Sequence, residues 1–204
     1  TEPQASPVKQ FALARNLRVI QPEKVRTSQF LEAIVGEAPD VFAVVAYGRI
    51  LTRPVLDAAR HGAINLHFSL LPALRGAAPV QWALARGEHE TGVTTFRIDE
   101  GLDTGDLLGQ RRVPIAPQEH APALLLRLAK DGATLLVETL SGLAAGSVRP
   151  TPQDHERATT APILTREHGL WDPAWSAREL EGWVRGFDPW PGVWAARAGK
   201  RLRI

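Results

Sequence analysis

The chain has 204 residues, of which 44% are hydrophobic and 23% charged, a balance typical of a globular protein with a sizeable core. Its 24 Lys and Arg against 22 Asp and Glu leave a formal net charge of +2, which is too small to indicate a nucleic-acid partner by itself. The sequence has no cysteine, which excludes disulfides, thiolate nucleophiles and cysteine-bound metals, and no apolar run long enough to cross a bilayer. We therefore expect a cytoplasmic protein.

The ends of the sequence carry basic stretches. Lysines and arginines gather between residues 9 and 26 and again between residues 197 and 203. Such runs are typical of solvated surfaces, and this is the interpretation that the sequence alone favours. The chain also lacks methionine, so Thr1 is not an unprocessed translation start. We expect these residues to be part of a longer polypeptide.

The spacing of apolar residues predicts an alternation of helices and strands. Helices are predicted over 8–17, 24–37, 54–59, 77–86 and 176–185, with a longer one inside 117–146. Strands are predicted over 41–46, 63–67, 91–98 and 107–115, and two more between 193 and 204. The continuous apolar run over 41–46 is typical of a strand covered on both faces. Ser176 and Glu179 have the spacing of a capping box at the start of the last helix.

This alternation predicts an α/β protein with a doubly wound, Rossmann-like and mostly parallel sheet. The α/β domain is expected to occupy residues 1–150. Residues 151–175 begin with a stretch rich in Pro, Thr and charge, and they are predicted to form a linker. Residues 176–204 are predicted to begin a second, β-rich and barrel-like domain.

A pair of polar residues lies in the second predicted strand. Asn65 and His67 are two residues apart, so in an extended chain both side chains leave the same face and their apolar neighbours leave the other. Further along the sequence, Asp103 lies between two glycines that allow a sharp bend. A loop of this kind can place a carboxylate beside the imidazole and orient its ring.

These three residue types are the parts that acyl transfer to an amine requires. A fixed donor such as the Asn65 amide stabilises the oxyanion of a tetrahedral intermediate, by about 3–4 kcal/mol for one such group. The His67 imidazole titrates near neutrality and is suited to moving a proton. Asp103 is placed to orient that ring and to favour its protonated form. The sequence leaves open which of His67 and Asp103 handles each proton.

Other interpretations of the same residues are weaker. A single histidine at a strand end, or an asparagine near a turn, is more often structural than chemical. Ser69 with His67 and Asp103 suggests a serine hydrolase, but the Gly-x-Ser-x-Gly turn of such enzymes is absent. The other histidines lack metal-ligand spacing, and no phosphate-binding glycine motif occurs. We therefore predict no metal site.

Several segments of the sequence resemble a known family, the enzymes that transfer the formyl group of 10-formyltetrahydrofolate. The segments that carry this resemblance are Asn65–Pro72, Arg75–Pro79, Gly92–Thr95 and Asp99–Asp106. The resemblance is specific because an Asn-x-His strand and a Leu-Asp-x-Gly loop occur together, about three dozen residues apart. Further segments are most similar to the family members that formylate methionyl-tRNA, namely Ser6–Lys9, Ala46–Gly48 and Phe187–Pro191.

The resemblance implies a reaction and a set of site residues. Asn65, His67 and Asp103 are implied to be catalytic. The residues implied to border the folate are Ser69, Leu70, Leu71 and Pro72. The formyl donor is expected to be 10-formyltetrahydrofolate and the acceptor the initiator methionyl-tRNA used in translation initiation, with no metal and no membrane partner. We also expect a monomer.

The resemblance bears on the domains as well. It implies that residues 1–150 form the formyltransferase catalytic domain without the first strand and helix of the family. It also implies that residues 176–204 begin a C-terminal tRNA-binding barrel. A sheet without its central strand exposes apolar edges, so we expect an incomplete folding unit.

Three other functions stay open at this point. The same chemistry can serve a small amine, such as a purine precursor or an amino sugar. It can also serve water, in which case the enzyme hydrolyses 10-formyltetrahydrofolate. The basic ends and the tryptophan-rich C-terminal residues favour a large anionic acceptor over both. A non-catalytic RNA-binding module with the same fold is the third alternative, because a fold does not fix a function.

Overall fold

The computed structural model describes residues 4–204. The α-helices are α1 (Pro7–Leu13), α2 (Ser28–Val35), α3 (Arg53–Leu56), α4 (Pro79–Ala85), α5 (Ala121–Ala144) and α6 (Ala177–Gly186). The strands are β1 (Phe42–Val44), β2 (Ala63–His67), β3 (Glu90–Arg97), β4 (Leu107–Pro114), β5 (Trp194–Arg197) and β6 (Lys200–Arg203). Short 3₁₀ helices cover His155–Arg157 and Glu167–Gly169. None of the helices within residues 4–204 is both long and apolar enough to cross a membrane.

Three of the helices begin where a hydroxyl satisfies a free backbone N–H of the first turn. Ser6 caps α1 and Thr27 caps α2 in this way. Ser176 caps α6, and Glu179 returns a bond to the backbone of Ser176, which confirms the predicted capping box.

The first four strands form one sheet in the order β1-β2-β3-β4. Strands β1 and β2 are parallel, whereas β2 pairs with β3, and β3 with β4, in the antiparallel direction. The α/β class is confirmed, but the pairing among the described strands is mixed rather than mostly parallel. One reason is that β3 and β4 are joined by a loop without a helix, and a short connection reverses the chain.

Strand β1 differs from its expected environment. It lies at the edge of the described sheet, with Ala43 exposed and Phe42 and Val44 only half-buried. The apolar run over 41–46 predicted a strand covered on both faces, and the described residues do not cover it. Val45 and Tyr47, which follow the strand, are 44% and 43% exposed.

The main core lies between the sheet and the helices α4 and α5. Leu66 of β2 and Val93 of β3 are buried against Leu124 and Leu128 of α5. Val113 of β4 joins the same cluster, together with apolar residues of α4. The tight packing of β2 against α5 fixes the strand that carries Asn65 and His67.

Residues 151–165 are an extended segment that packs along the α/β domain. Thr151 pairs with Leu107 at the start of β4. Ala161 is fully buried, and its N–H and C=O bond to the backbone of Arg75 and Ala78. Gly76 has a φ of +123°, and a Cβ there would lie 2.6 Å from the carbonyl oxygen of Ala161, so only glycine fits. Composition predicted a linker here, but the structure has a segment anchored to the domain.

Helix α6 packs closely on α4. Gly186 of α6 lies against the backbone of Gln81 and Ala85, and Gly182 lies against the carbonyl of Leu84. Around this contact, aromatic rings meet edge to face at 4.8–5.7 Å between centroids. These rings belong to Trp82, Trp183 and Phe187. Strands β5 and β6 then form an antiparallel hairpin, as the sequence predicted.

Candidate active site

Strand β2 positions two of the three predicted catalytic residues. Asn65 lies opposite Phe96 of β3, and His67 lies opposite Thr94. Because the two residues are two positions apart on one strand, their side chains leave the same face of the sheet. Asn65 is half-buried, whereas His67 is 5% exposed.

The His67 ring is held by contacts on both of its nitrogens. Nε2 lies 2.9 Å from the carbonyl oxygen of Leu74. A carbonyl only accepts hydrogen bonds, so Nε2 carries the proton and Nδ1 of the neutral ring has a free lone pair. Nδ1 lies 3.7 Å from Oδ2 of Asp103, which is within range of an ion pair but beyond a hydrogen bond. The structure therefore brings these two predicted residues together.

The surroundings of His67 favour its neutral form. Burial lowers the pKa of His67 below the ordinary value for histidine. The negative charge of Asp103 and the bond to the Leu74 carbonyl act in the opposite direction and raise that pKa, but burial is the larger effect. The imidazole is thus ready to accept a proton near neutral pH, as a general base must be.

Asp103 sits at the tip of the loop between β3 and β4, which we call the Asp103 loop (Asp99–Asp106). Its φ of 55° is left-handed, a conformation that aspartate adopts more readily than most residues. Oδ2 of Asp103 accepts a hydrogen bond of 2.7 Å from the N–H of Gly76. Inside the loop, Asp99 accepts bonds from the Gly101 N–H and the Thr104 hydroxyl. The Gly76 N–H therefore holds the Asp103 carboxylate directly, while the bonds to Asp99 hold the loop around it.

The four residues implied to border the folate form the turn after β2. Ser69 is fully buried, and its hydroxyl donates to the carbonyl of Ala73 at 2.6 Å. Leu71 is buried as well, at 3% exposure, whereas Leu70 and Pro72 are partly exposed. Their contact with a folate stays a prediction, and only Leu70 and Pro72 have side chains that reach the surface.

Sequence reasoning missed Thr94, which fixes this turn from the neighbouring strand. Its hydroxyl donates to the carbonyl of Ser69 at 2.6 Å and accepts from the N–H of Leu71 at 3.2 Å. The Gln110 amide also donates to it at 3.0 Å. Thr94 is fully buried. A threonine in a strand rich in β-branched residues carries no signal that separates this role from ordinary strand preference.

Gln153 and Arg75 were missed as well. Both are buried, at 5% and 9% exposure, and they join the Asp103 loop to the turn before α4. Gln153 lies 50 positions from Asp103 and 78 from Arg75, so no local sequence pattern predicts these contacts.

A cavity of about 580 Å³ lies beside the Asp103 loop. Its lining includes several charged residues, among them Arg53, Arg60, Arg97 and Glu100. Asn65, His67 and Asp103 are not among its lining residues. The residues predicted to be catalytic therefore do not line this cavity. Within residues 4–204 no group of His, Asp and Glu has the arrangement of a metal site.

An α/β fold with an asparagine and a buried histidine on one strand, and an aspartate beside that histidine, defines a site suited to acyl transfer. Residues 1–140 match the family described as "Formyl transferase", and the chain belongs to this family. The resemblance found in the sequence is thereby confirmed.

Individual proteins similar to this chain agree with that family. Methionyl-tRNA formyltransferase of Acidobacterium capsulatum is 54% identical over 201 residues, which are 98% of this chain and 65% of that protein. The fold is similar to that of a sugar N-formyltransferase from a Shewanella species, with a TM-score of 0.77 and 18% identity over 95% of this chain and 78% of that one. It is also similar to HypX from Aquifex aeolicus in complex with tetrahydrofolic acid, with a TM-score of 0.69 and 21% identity over 84% and 31% of the two chains.

The chain spans 61–65% of the length of the first curated relatives that it matches.

Proposed function

We propose that the full-length protein transfers the formyl group of 10-formyltetrahydrofolate to the amino group of initiator methionyl-tRNA. The observation that carries this proposal is the contact of 3.7 Å between Asp103 of the loop and His67 on β2, the strand that also bears Asn65. The 54% identity to the methionyl-tRNA formyltransferase of A. capsulatum supports the acceptor. The tetrahydrofolic acid bound to the structurally similar HypX supports a folate donor.

In the proposed reaction the amine nitrogen attacks the formyl carbon, and the carbonyl oxygen becomes an oxyanion. The Asn65 amide donates a hydrogen bond to this oxyanion. His67 takes the proton that the attacking nitrogen loses and returns it to the folate nitrogen as the carbon–nitrogen bond of the donor breaks. The products are the formylated amine and tetrahydrofolate.

We propose Nδ1 as the proton-accepting atom of His67. The other nitrogen, Nε2, keeps its proton on the carbonyl of Leu74 at 2.9 Å. A proton on Nδ1 turns the contact with Asp103 into an attraction between opposite charges in a buried place, where such an attraction is stronger than in water. Asp103 then stabilises the imidazolium and holds its ring.

For the folate we propose that two residues of the turn after β2 contact the ligand and that the other two hold the turn in place. The partly exposed Leu70 and Pro72 offer their side chains to the ligand. Ser69 and Leu71 are buried and hold the turn through bonds to Thr94 and Ala73.

For the tRNA we propose that residues 176–204 begin a binding domain attached to a catalytic domain of residues 1–150. Exposed basic residues on the β5–β6 hairpin, namely Arg197, Lys200, Arg201 and Arg203, support contact with phosphates. The proposal places the protein in the cytoplasm as a monomer.

The direct test gives the full-length protein 10-formyltetrahydrofolate and methionyl-tRNA and measures formylated methionyl-tRNA. We expect His67→Asn to lower kcat by about 100-fold or more, the size of a general-base contribution. His61→Asn changes a partly buried histidine that lies outside the site, and it is the matched control, with activity near that of the unchanged protein.

Two results would overturn the proposal. One is formylation of a small amine or an amino sugar without formylation of methionyl-tRNA. The other is release of formate alone from 10-formyltetrahydrofolate.

A further inference from the structure

We propose that Gln153 is a positioning residue that holds the Asp103 loop so that its carboxylate stays beside His67. Gln153 lies in the 151–165 segment, outside the sequence motifs that carry the family resemblance. The expected effect of Gln153 on catalysis rests on the proposed function, whereas its effect on the geometry of the loop does not.

Gln153 contacts the Asp103 loop at two backbone carbonyls. Its Nε2 donates to the carbonyl of Asp103 at 2.9 Å and to the carbonyl of Gly105 at 2.7 Å. The two carbonyls lie two residues apart, one on the left-handed residue Asp103 itself and the other on Gly105 just after it. One amide group therefore holds the backbone of the loop at the residue that carries the carboxylate.

Arg75 fixes which way the Gln153 amide faces. Its guanidinium donates to Oε1 of Gln153 from Nε at 3.2 Å and from Nη2 at 2.6 Å. A guanidinium has no acceptor, so the amide oxygen must face Arg75 and the amide nitrogen must face the loop. The hydrogen-bond network thus assigns the amide orientation.

Arg75 is itself held tightly. Its N–H donates to the carbonyl of Thr159 at 2.8 Å, and its carbonyl accepts from the N–H of Ala161 at 2.6 Å. Nη2 also contacts Nδ1 of His155 at 3.1 Å. The next residue, Gly76, donates to the Asp103 carboxylate. Arg75 and Gly76 therefore brace the loop twice, once through Gln153 and once directly.

Asp103 is therefore held at two places, its side chain and its backbone, by different residues. The Gly76 N–H binds the carboxylate oxygen, while Gln153 binds the backbone carbonyl of Asp103 and that of Gly105, two residues further on. Without Gln153 the two loop carbonyls lose their buried donor, and the loop is free to move towards water to satisfy them. A shift of about 1 Å in a catalytic group is enough to slow a reaction about 100-fold.

The test uses the full-length protein with Gln153→Met, which keeps the side-chain size but has no donor. We expect kcat to fall about 10- to 100-fold. We also expect NMR titration of the His67 ring to give a pKa below that of the unchanged protein, because Asp103 is the charge that raises it. Thr139→Val is the matched control, since Thr139 is a buried hydrogen-bonding residue of α5 remote from this loop.

A second variant separates positioning from folding. Gln153→Glu retains an oxygen that faces Arg75 and adds a charge opposite to that of the guanidinium, which offsets the repulsion between its second oxygen and the two loop carbonyls. A melting curve measures whether the fold stays stable. The variant removes the donor to both loop carbonyls, so kcat is still expected to fall at least 10-fold.

Coupling to Asp103 is the decisive measurement. If Gln153 acts through Asp103, then Gln153→Met in an Asp103→Asn background lowers kcat less than 2-fold further, because the two changes remove one interaction. An unchanged His67 pKa in Gln153→Met, or equal losses in both backgrounds, would overturn the inference. The titration needs no formyl acceptor, so it gives an answer even if methionyl-tRNA is not the substrate.

Discussion

Nδ1 of His67 and Oδ2 of Asp103 face each other at 3.7 Å, with side chains that are only 6% and 15% exposed. The distance is too long for a hydrogen bond, and the nitrogen that faces the carboxylate is the one without a proton. The pair is therefore arranged for the protonated ring, which forms only during the proposed reaction. In the proposed reaction, the site with a neutral His67 ring differs from the site with a protonated ring by one proton on Nδ1 and by a slightly shorter distance between Nδ1 and Asp103.

Asp103→Asn tests the charge of this pair. Because the negative charge of Asp103 raises the pKa of His67, its removal lowers that pKa further, and kcat is expected to fall about 100-fold or more. NMR titration of the His67 ring and steady-state kinetics measure the two effects. Asp106→Asn removes an exposed charge of the same loop and serves as the control. A His67 pKa that is equal in both variants would contradict the interpretation.

Asn65→Ala tests the oxyanion donor. Loss of one such donor typically costs about 100- to 1,000-fold in kcat. Asn65 is only half-buried, so thermal unfolding of the variant is expected to stay close to that of the unchanged protein. Kinetics and a melting curve on the same preparation measure both. A variant with normal kcat would remove Asn65 from the catalytic group.

The stability of the protein is expected to depend on pH through His67. Its pKa is lower in the folded protein than in the unfolded chain, where it is about 6.5. Below that pH the unfolded chain binds the proton more readily, so the free energy of unfolding falls as the pH falls towards the folded pKa.

His67→Gln removes this group and isolates its contribution. Urea unfolding at pH 7.5 and at pH 5.5 is expected to show that the unchanged protein loses more stability on acidification than the variant does. Identical losses in the two proteins would mean that folding does not lower the pKa of His67.

Gly186→Ala tests the contact between α6 and α4. A Cβ at this position lies 2.5 Å from the carbonyl oxygen of Gln81 and 2.9 Å from the backbone nitrogen of Ala85. Backbone atoms cannot move aside easily, so we expect a loss of about 1–3 kcal/mol in the free energy of unfolding. Chemical denaturation measures it. Gly132→Ala is the control, because its Cβ meets the mobile end of the Leu66 side chain and the loss is expected to be smaller.

Local signals predicted much of the fold. Strand β2 covers the predicted residues 63–67, and the spacing of Ser176 and Glu179 gave the start of α6. Both depend on neighbours within one strand or one helical turn, which a sequence displays directly. The prediction that both faces of β1 are covered was wrong among the described residues. An apolar run shows that a segment favours a buried strand, but it does not show which neighbours cover that strand.

The site divides in the same way. Asn65 and His67 belong to one strand, and the glycine-flanked Asp103 has a recognisable loop pattern. Arg75 lies in a segment that carries the family resemblance, but no local pattern predicts its contact with Gln153, 78 positions away. The contact of Gln153 with Asp103 spans 50 positions and has no local pattern either. A polar residue in a proline-rich stretch looks the same whether it is solvated or buried, so only the tertiary structure identifies it.

Because residues 151–165 are anchored along the domain, the number of residues in this segment is constrained. A flexible linker tolerates added or deleted residues at small cost, because only the entropy of its ends changes. Here Gln153 and Ala161 are both buried at fixed points. An insertion or deletion between them would shift one of the two out of register, so length in this stretch is as constrained as it is within a strand.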